Sequence, residues 1–199
     1  MTAAVSSKAA RQEVEAAFPE LAEIADPVLR AQVTDVWTKT YLESDYESLD
    51  ALLFGGGFEE TDANERQVSH TREVTRCALA LADTLVEGRE IEIRRDDVVA
   101  GALLHDMSKL LETSSAGQTW TELGELIPHP HFAVSLLEDA GISRHIQHIV
   151  LAHTYGSTPQ PKTIEAHLVM VADLVSANAI FWEHEGEIHF NLVGSPIRT

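Results

Sequence analysis

An imidazole and a carboxylate stand side by side, His105 and Asp106, in "VVAGALLHDMSKLLE", a stretch otherwise composed for burial. An unpaired carboxylate inside a protein costs several kcal/mol. Asp106 must therefore meet a cation or a strong hydrogen-bond donor, and the fold has to bring one to it. Other candidates lie at wide intervals on either side: His70, His131, His153 and Asp173. Such spacing takes the partners from separate elements, so the chain must close around this point.

Nearly all of the chain reads as helix, an all-α protein. Residues 8–24 are rich in Ala and Glu, with Pro19 breaking them into two pieces. Asp26 caps a helix that has Pro27 at its first position, and Leu29, Val33, Val36, Trp37 and Thr40 keep one face. "FGGGFEETDANER" reads as a loop, serving as a flap or as a join. The expected division is an N-terminal helical extension over 1–60 and a metal-binding helical domain over 61–199.

In the second unit, a helix over 66–86 carries Val74, Cys77, Ala78, Leu81 and Leu85, with His70 one turn before Val74. A helix capped by Asp96 or Asp97 is predicted to run unbroken to Leu111. "SSAGQTWTELGELIPHP" is a long loop, and "HFAVSLLEDAG" a short helix ending at Gly141. Ser143 caps the next helix, "GSTPQP" turns, and "KTIEAHLVMVADLVSANAIFWEHE" is a long apolar helix. The tail "GEIHFNLV" alternates weakly, as a single strand or an ordered arm.

Composition narrows the partners. With 32 acidic and 14 basic residues the net charge is −18, a surface that repels phosphate backbones and argues against nucleic-acid binding. No apolar run reaches the ~20 residues that span a bilayer, and the N-terminus has no apolar signal core. The single cysteine, Cys77, excludes an internal disulfide framework, fits a reducing cytoplasm and is read as core. There is no G-x-S-x-G, Walker or dinucleotide-binding glycine motif.

Asp173, alone in "LVMVADLVSA", needs a partner as Asp106 does, and a cation is the natural one. His70, His105, Asp106 and Asp173 could hold one ion. His131 and His153, with Asp106 bridging, could hold a second. "HPH" offers His129 as well as His131; Pro130 at the first helical position favours His131. His145, His148, His167, His184 and His189 are read as surface or packing residues, with His148 a substitute for His153. A mixed imidazole and carboxylate set suits one or two divalent Fe, Mn, Co, Ni or Zn ions better than Ca.

Taken in order, His70, His105-Asp106, His131, His153 and Asp173 resemble the HD-domain superfamily of metal-dependent phosphohydrolases, whose signature is His, His-Asp, then Asp on a helical bundle. "LLHDMSKLL" is similar to that family's His-Asp core, with Lys109 at its lysine. The likeness covers residues 66–179. "IVLAHTYGSTPQPKTIEAHLVMVAD" looks like the corresponding stretch of the branch that cleaves diadenosine tetraphosphate symmetrically. That branch has an Arg after the last Asp, and "LVSANAIFW" has none.

The resemblance implies an HD-domain-like helical bundle behind the N-terminal extension. It also implies hydrolysis of a phosphate ester or anhydride of a nucleotide or similar small molecule by a metal-activated water. Asp106 and Lys109 would be catalytic, and Lys109, Arg66, Arg72 and Thr154 would contact substrate phosphate. Two other functions share the ligand set: a di-iron oxygenase, and a non-catalytic module that senses a ligand. A homodimer through Trp37 or Trp182 is a further expectation.

Overall fold

The computed structural model describes residues 6–55, 65–155 and 159–189. Residues 56–64 of the expected loop at 54–66, residues 156–158 of the expected turn at 156–161, and the tail beyond 189 lie outside the described residues. Residues 186–189 are not in a strand.

Helix α1 (Ser7–Ala17) ends before Pro19, which begins a 3-10 turn, Pro19–Glu23. Helix α2 (Pro27–Glu43) starts at Asp26, whose carboxylate accepts from the Val28 amide at 2.8 Å. Its Val33, Val36, Trp37 and Thr40 are buried. Trp37 is 1% exposed, packs against Phe18 with ring centres 4.6 Å apart and planes tilted by 40°, and donates from Nε1 to the Leu103 carbonyl at 2.8 Å. The N-terminal helices thus share one apolar core with the segment that precedes His105.

Helix α3 (Gln67–Gly88) leads to α4 (Arg95–Leu104), α5 (Lys109–Glu112) and α6 (Glu122–Leu126). Then follow α7 (His129–Asp139), α8 (Arg144–Leu151) and α9 (Ile164–Glu185). A second apolar cluster joins α3, α4, α8 and α9 through Val74, Ala78, Val98, Ile149 and Val169. Contrary to the sequence expectation that no apolar run reaches spanning length, helix α9 is long and apolar enough by composition to cross a bilayer, yet 56% of that apolar stretch is buried inside the fold. Its apolarity is explained by packing.

Four sequence expectations change. The expected long loop before His129 contains a short helix, α6, capped by Thr121. The helix expected to run to Leu111 breaks at 105–108, where Met107 bonds Leu104 and Lys109 bonds Asp106 three residues back. These tighter bonds interrupt the α-helical ladder with neither Gly nor Pro to announce it. Asp96 and Asp97 do not cap α4, whose N-cap is Arg94. Asp96 instead accepts from the Ala25 and Asp26 amides, and Asp97 pairs with His145. Trp37 is core, while Trp182 is 60% exposed.

Gly101 sets how closely α4 and α8 approach. A β-carbon there would lie 2.4 Å from Ile149 Cγ2 and 3.0 Å from its Cβ, and a β-branched side chain has little room to yield. Gly101→Ala would gain up to ~1 kcal/mol in helix propensity. Overpacking costs about 1–3 kcal/mol. A lower midpoint in urea denaturation is therefore expected; an unchanged midpoint would show that the two helices separate freely.

The loop after α5 forms one wall of the site. Gln118 holds a left-handed backbone, φ 55°, and its side chain repays the strain. Its Oε1 accepts from the Leu53 amide and Tyr46 hydroxyl, and its Nε2 donates to the Ala51 carbonyl. Asp45 accepts from Ser114 Oγ at 2.8 Å and the Ser115 amide at 2.9 Å. Partial burial would raise the Asp45 carboxyl, but these donors outweigh it and hold it below the usual 3.8. Its stabilisation is thus full above pH 3.8 and lost as pH falls through the lower folded value. The melting-temperature gap between the native protein and Asp45→Asn should close in acid; a gap constant down to pH 2 would contradict this linkage.

Candidate metal centre

The turn at 105–108 presents His105 and Asp106 to the bundle interior, 0% and 2% exposed. Helix α3 brings His70 and α9 brings Asp173. Residue 129 comes at the first turn of α7, and His153 just past the end of α8. His70 Nε2 lies 3.1 Å from Asp173 Oδ1 and 3.8 Å from Asp106 Oδ2. His105 Nε2 is 3.4 Å from that same Asp106 oxygen. On the other side, Asp106 Oδ1 is 3.0 Å from His129 Nε2 and 3.5 Å from His153 Nε2. Each oxygen of Asp106 therefore faces its own group of imidazoles. Donor atoms of His70, His105 and Asp106 lie close enough to share one ion, as do those of Asp106, His129 and His153.

The outer nitrogens fix the tautomers. A carbonyl only accepts, so His105 Nδ1 must donate to Ala102 O (2.7 Å) and His153 Nδ1 to Val150 O (2.6 Å). Ser176 gives its proton to Glu73 at 2.8 Å, so its oxygen accepts from His70 Nδ1 at 2.9 Å. In their neutral form, His70 and His105 then turn the Nε2 lone pair towards carboxylate oxygens, and His153 turns its own towards His129 and Asp106. Lone pairs facing carboxylates repel unless a positive charge stands between them. His70 Nε2 and His105 Nε2 are buried without a hydrogen-bond partner. Divalent cations fit this donor set, with outer acceptors orienting the rings as metal-binding histidines require.

The electrostatics agree. Burial alone would raise both carboxyls. For Asp106 the Lys109 ammonium and the His105 and His129 rings overcome burial and hold it well below the ordinary range. Asp173 is brought to about 2, chiefly by the His70 ring 3.1 Å away. Burial would lower His129, yet Asp106 lifts it to about 9. His105 is raised against burial by Asp106 too, whereas burial dominates at His153 and lowers it. The centre attracts positive charge.

Of the candidates from the sequence, His70, His105, Asp106, His153 and Asp173 come together, and His131 does not. It is exposed, and His129 takes the place expected for it. Helix α7 begins at His129 with Pro130 second, one residue earlier than the sequence reading has it. Two helical steps turn a side chain by about 200°, so the two histidines diverge. His148 does not substitute for His153; its Nε2 accepts from the Lys162 amide.

Lys109 Nζ is 2.7 Å from Asp106 Oδ2 and 5.7 Å from the Phe54 ring centre, at the edge of the pocket. The broken helix accounts for its pairing with Asp106 at i+3. Thr154 lines the same pocket, its hydroxyl 3.2 Å from His153 Nε2. The two arginines expected at substrate are not among the pocket-lining residues. Arg66 is exposed at the N-cap of α3, and Arg72 is engaged by both oxygens of Glu20, tying α3 to the N-terminal helices.

Two residues escaped the sequence reading. Gln67 Nε2 donates to Asp106 Oδ2 at 2.7 Å. Glu112 is fully buried, and its Oε2 lies 3.6 Å from His129 Nδ1. Gln67, just ahead of the His70 turn, carried no signal. The apolar run "KLLE" around Glu112 carried one, a carboxylate at a buried register like that of Asp106.

Residues 68–178, more than half of the chain, match the HD domain family. The chain belongs to that family of metal-dependent phosphohydrolases. It is 33% identical over 109 residues to the dihydroneopterin 2',3'-cyclic phosphate phosphodiesterase of Methanocaldococcus jannaschii, covering 53% of this chain and 44% of that protein. It is 26% identical over 167 residues to ribonuclease Y of Desulforudis audaxviator, covering 81% of this chain and 29% of the relative. With the 3'-5' exoribonuclease YhaM of Oceanobacillus iheyensis it shares 28% over 130 residues, 55% of this chain and 40% of the other. The chain thus spans less than half the length of these relatives. No solved structure matches it.

Proposed function

We propose that this protein is a metal-dependent phosphohydrolase that cleaves a phosphate ester or anhydride of a nucleotide or similar small molecule. The observation that carries the reading is the aim of the imidazoles. Three Nε2 lone pairs, fixed by outward Nδ1 bonds, converge with His129 on the two oxygens of Asp106. His70, His105, Asp106 and Asp173 would hold one cation, and Asp106, His129 and His153 the other. When bound, such cations lower the pKa of water towards neutrality and take up charge that develops on phosphate oxygens.

The remaining tasks fall to side chains of this chain. Gln67 holds Asp106 Oδ2, so the carboxylate keeps one orientation. Lys109, at the pocket edge, contacts a phosphate oxygen and offsets its charge; Thr154 offers a hydroxyl beside it. The relatives named for phosphodiester cleavage support hydrolysis at phosphorus. The net charge of −18 favours a small ester over a polynucleotide.

The reading is tested with protein loaded in turn with Mn, Fe, Co, Ni or Zn and offered a panel of phosphate esters and anhydrides. Hydrolysis is expected with at least one metal, reduced at least about 100-fold in His129→Ala. His131→Ala should hydrolyse as the native protein does. Metal-loaded protein that cleaves nothing on the panel would refute the reading. Equal losses in the two variants would refute the ligand assignment.

A further inference from the structure

The pocket above the histidine cluster encloses about 510 Å³. Its floor holds Asp106, His129, His153, Asp173 and Lys109; its upper wall is aromatic. Phe181 and His189 stack with ring centres 4.1 Å apart and planes at 19°. Phe54 meets Phe181 edge-on at 6.4 Å and lies 4.6 Å from the His70 ring, so the aromatic wall runs down to the ligands. Trp120 and Tyr155 also face the cavity. Gly124 admits Trp120 to this place, for a β-carbon there would lie 2.7 Å from the indole and 2.3 Å from the Glu112 carbonyl.

Charge divides unevenly along this lining. Asp106, Glu112, Asp173 and Glu185 supply four carboxylates, and Lys109 is the only Lys or Arg among the described lining residues. With the imidazoles neutral, two divalent cations would leave the wall with about one net positive charge. That balances a phosphodiester. A di- or polyphosphate brings several negative charges, and no further cation lines the described cavity to meet them.

We propose that the site takes a phosphate bearing a single negative charge, joined to a planar aromatic group, and turns away di- and polyphosphates. This rests on the hydrolytic reading above. The floor receives the phosphate, and the aromatic wall around Phe181 and Trp120 receives the ring by stacking. In the reaction, water oxygen bonds to phosphorus and the bond from phosphorus to the leaving oxygen breaks. One water proton ends on that oxygen. A cyclic diester opens to a monoester; an open one yields a monoester and an alcohol.

The test has two arms, both on full-length protein loaded with Mn. In the first, adenosine 2',3'-cyclic phosphate, ADP and diadenosine tetraphosphate present the same base with different charge. The cyclic ester should show kcat/KM at least about 100-fold above the others. In the second, calorimetry compares methyl(phenyl)phosphinate and dimethylphosphinate, which carry one equal negative charge and have no ester bond to cleave. The phenyl compound should bind about tenfold tighter, an advantage that shrinks in Phe181→Leu. Should that variant fail to fold, the two phosphinates on native protein still decide. Equal binding of the two, cleavage of ADP or the tetraphosphate as fast as the cyclic ester, or cleavage of none of the three nucleotides while another ester of the panel is hydrolysed, would overturn this proposal and leave the hydrolytic reading standing. If metal is bound and nothing on the whole panel is cleaved, both fall.

Discussion

Asp106→Ala is expected to abolish retention of both cations and to lower hydrolysis by at least about 10³-fold, while the helical fold persists. Both losses follow because one carboxylate serves both ligand groups, Oδ2 towards His70 and His105, Oδ1 towards His129 and His153. The fold survives because the deletion also removes a buried charge. Gln67 loses its acceptor, at about 1–3 kcal/mol, whereas Lys109 is exposed enough, at 19%, to find water. The checks are metal content, turnover and far-ultraviolet circular dichroism on one preparation. A folded Asp106→Ala protein with native activity would rule out the shared carboxylate.

Trp37→Ala should produce the largest loss of stability. The indole is 1% exposed, packs against the Phe18 ring and donates to the Leu103 carbonyl, two residues before His105. Truncating a buried Trp costs about 3–5 kcal/mol. For a chain of this size that corresponds to a fall of about 6–20 °C in Tm. Because the N-terminal helices and α4 share one core, melting should remain a single transition that carries the His105 turn with it. Two separate transitions, with metal binding intact through the first, would instead mark residues 1–60 as an independent unit.

Much of the fold was legible because local chemistry sets it. Asp26-Pro27 caps α2, Pro19 breaks the first helix, and Ser143 caps α8 by accepting from the Ile146 amide, as expected. The core faces followed from periodicity, as Val33, Val36 and Trp37 show. Of the centre, the carboxylates Asp106 and Asp173 announced themselves, since a charge among apolar sequence neighbours demands a partner. What the sequence hid depends on geometry a few degrees or one residue wide. The break at 105–108 arises from tightened backbone bonds with no helix-breaking residue. The choice between His129 and His131 turned on whether α7 starts one residue earlier. Arg72 read as a phosphate contact because its partner, Glu20, lies 52 positions away. The aromatic wall was unreadable for a similar reason: Phe54, Trp120, Tyr155 and Phe181 come from four distant segments.

The most direct measurement is metal stoichiometry joined to position: elemental analysis of protein purified without chelator, and anomalous scattering from its crystals. The account predicts close to two transition-metal ions per chain, one among His70, His105, Asp106 and Asp173, the other among Asp106, His129 and His153. His129→Ala should retain only the first. A native protein that binds no ion at these side chains, or one whose ions lie elsewhere, would contradict it.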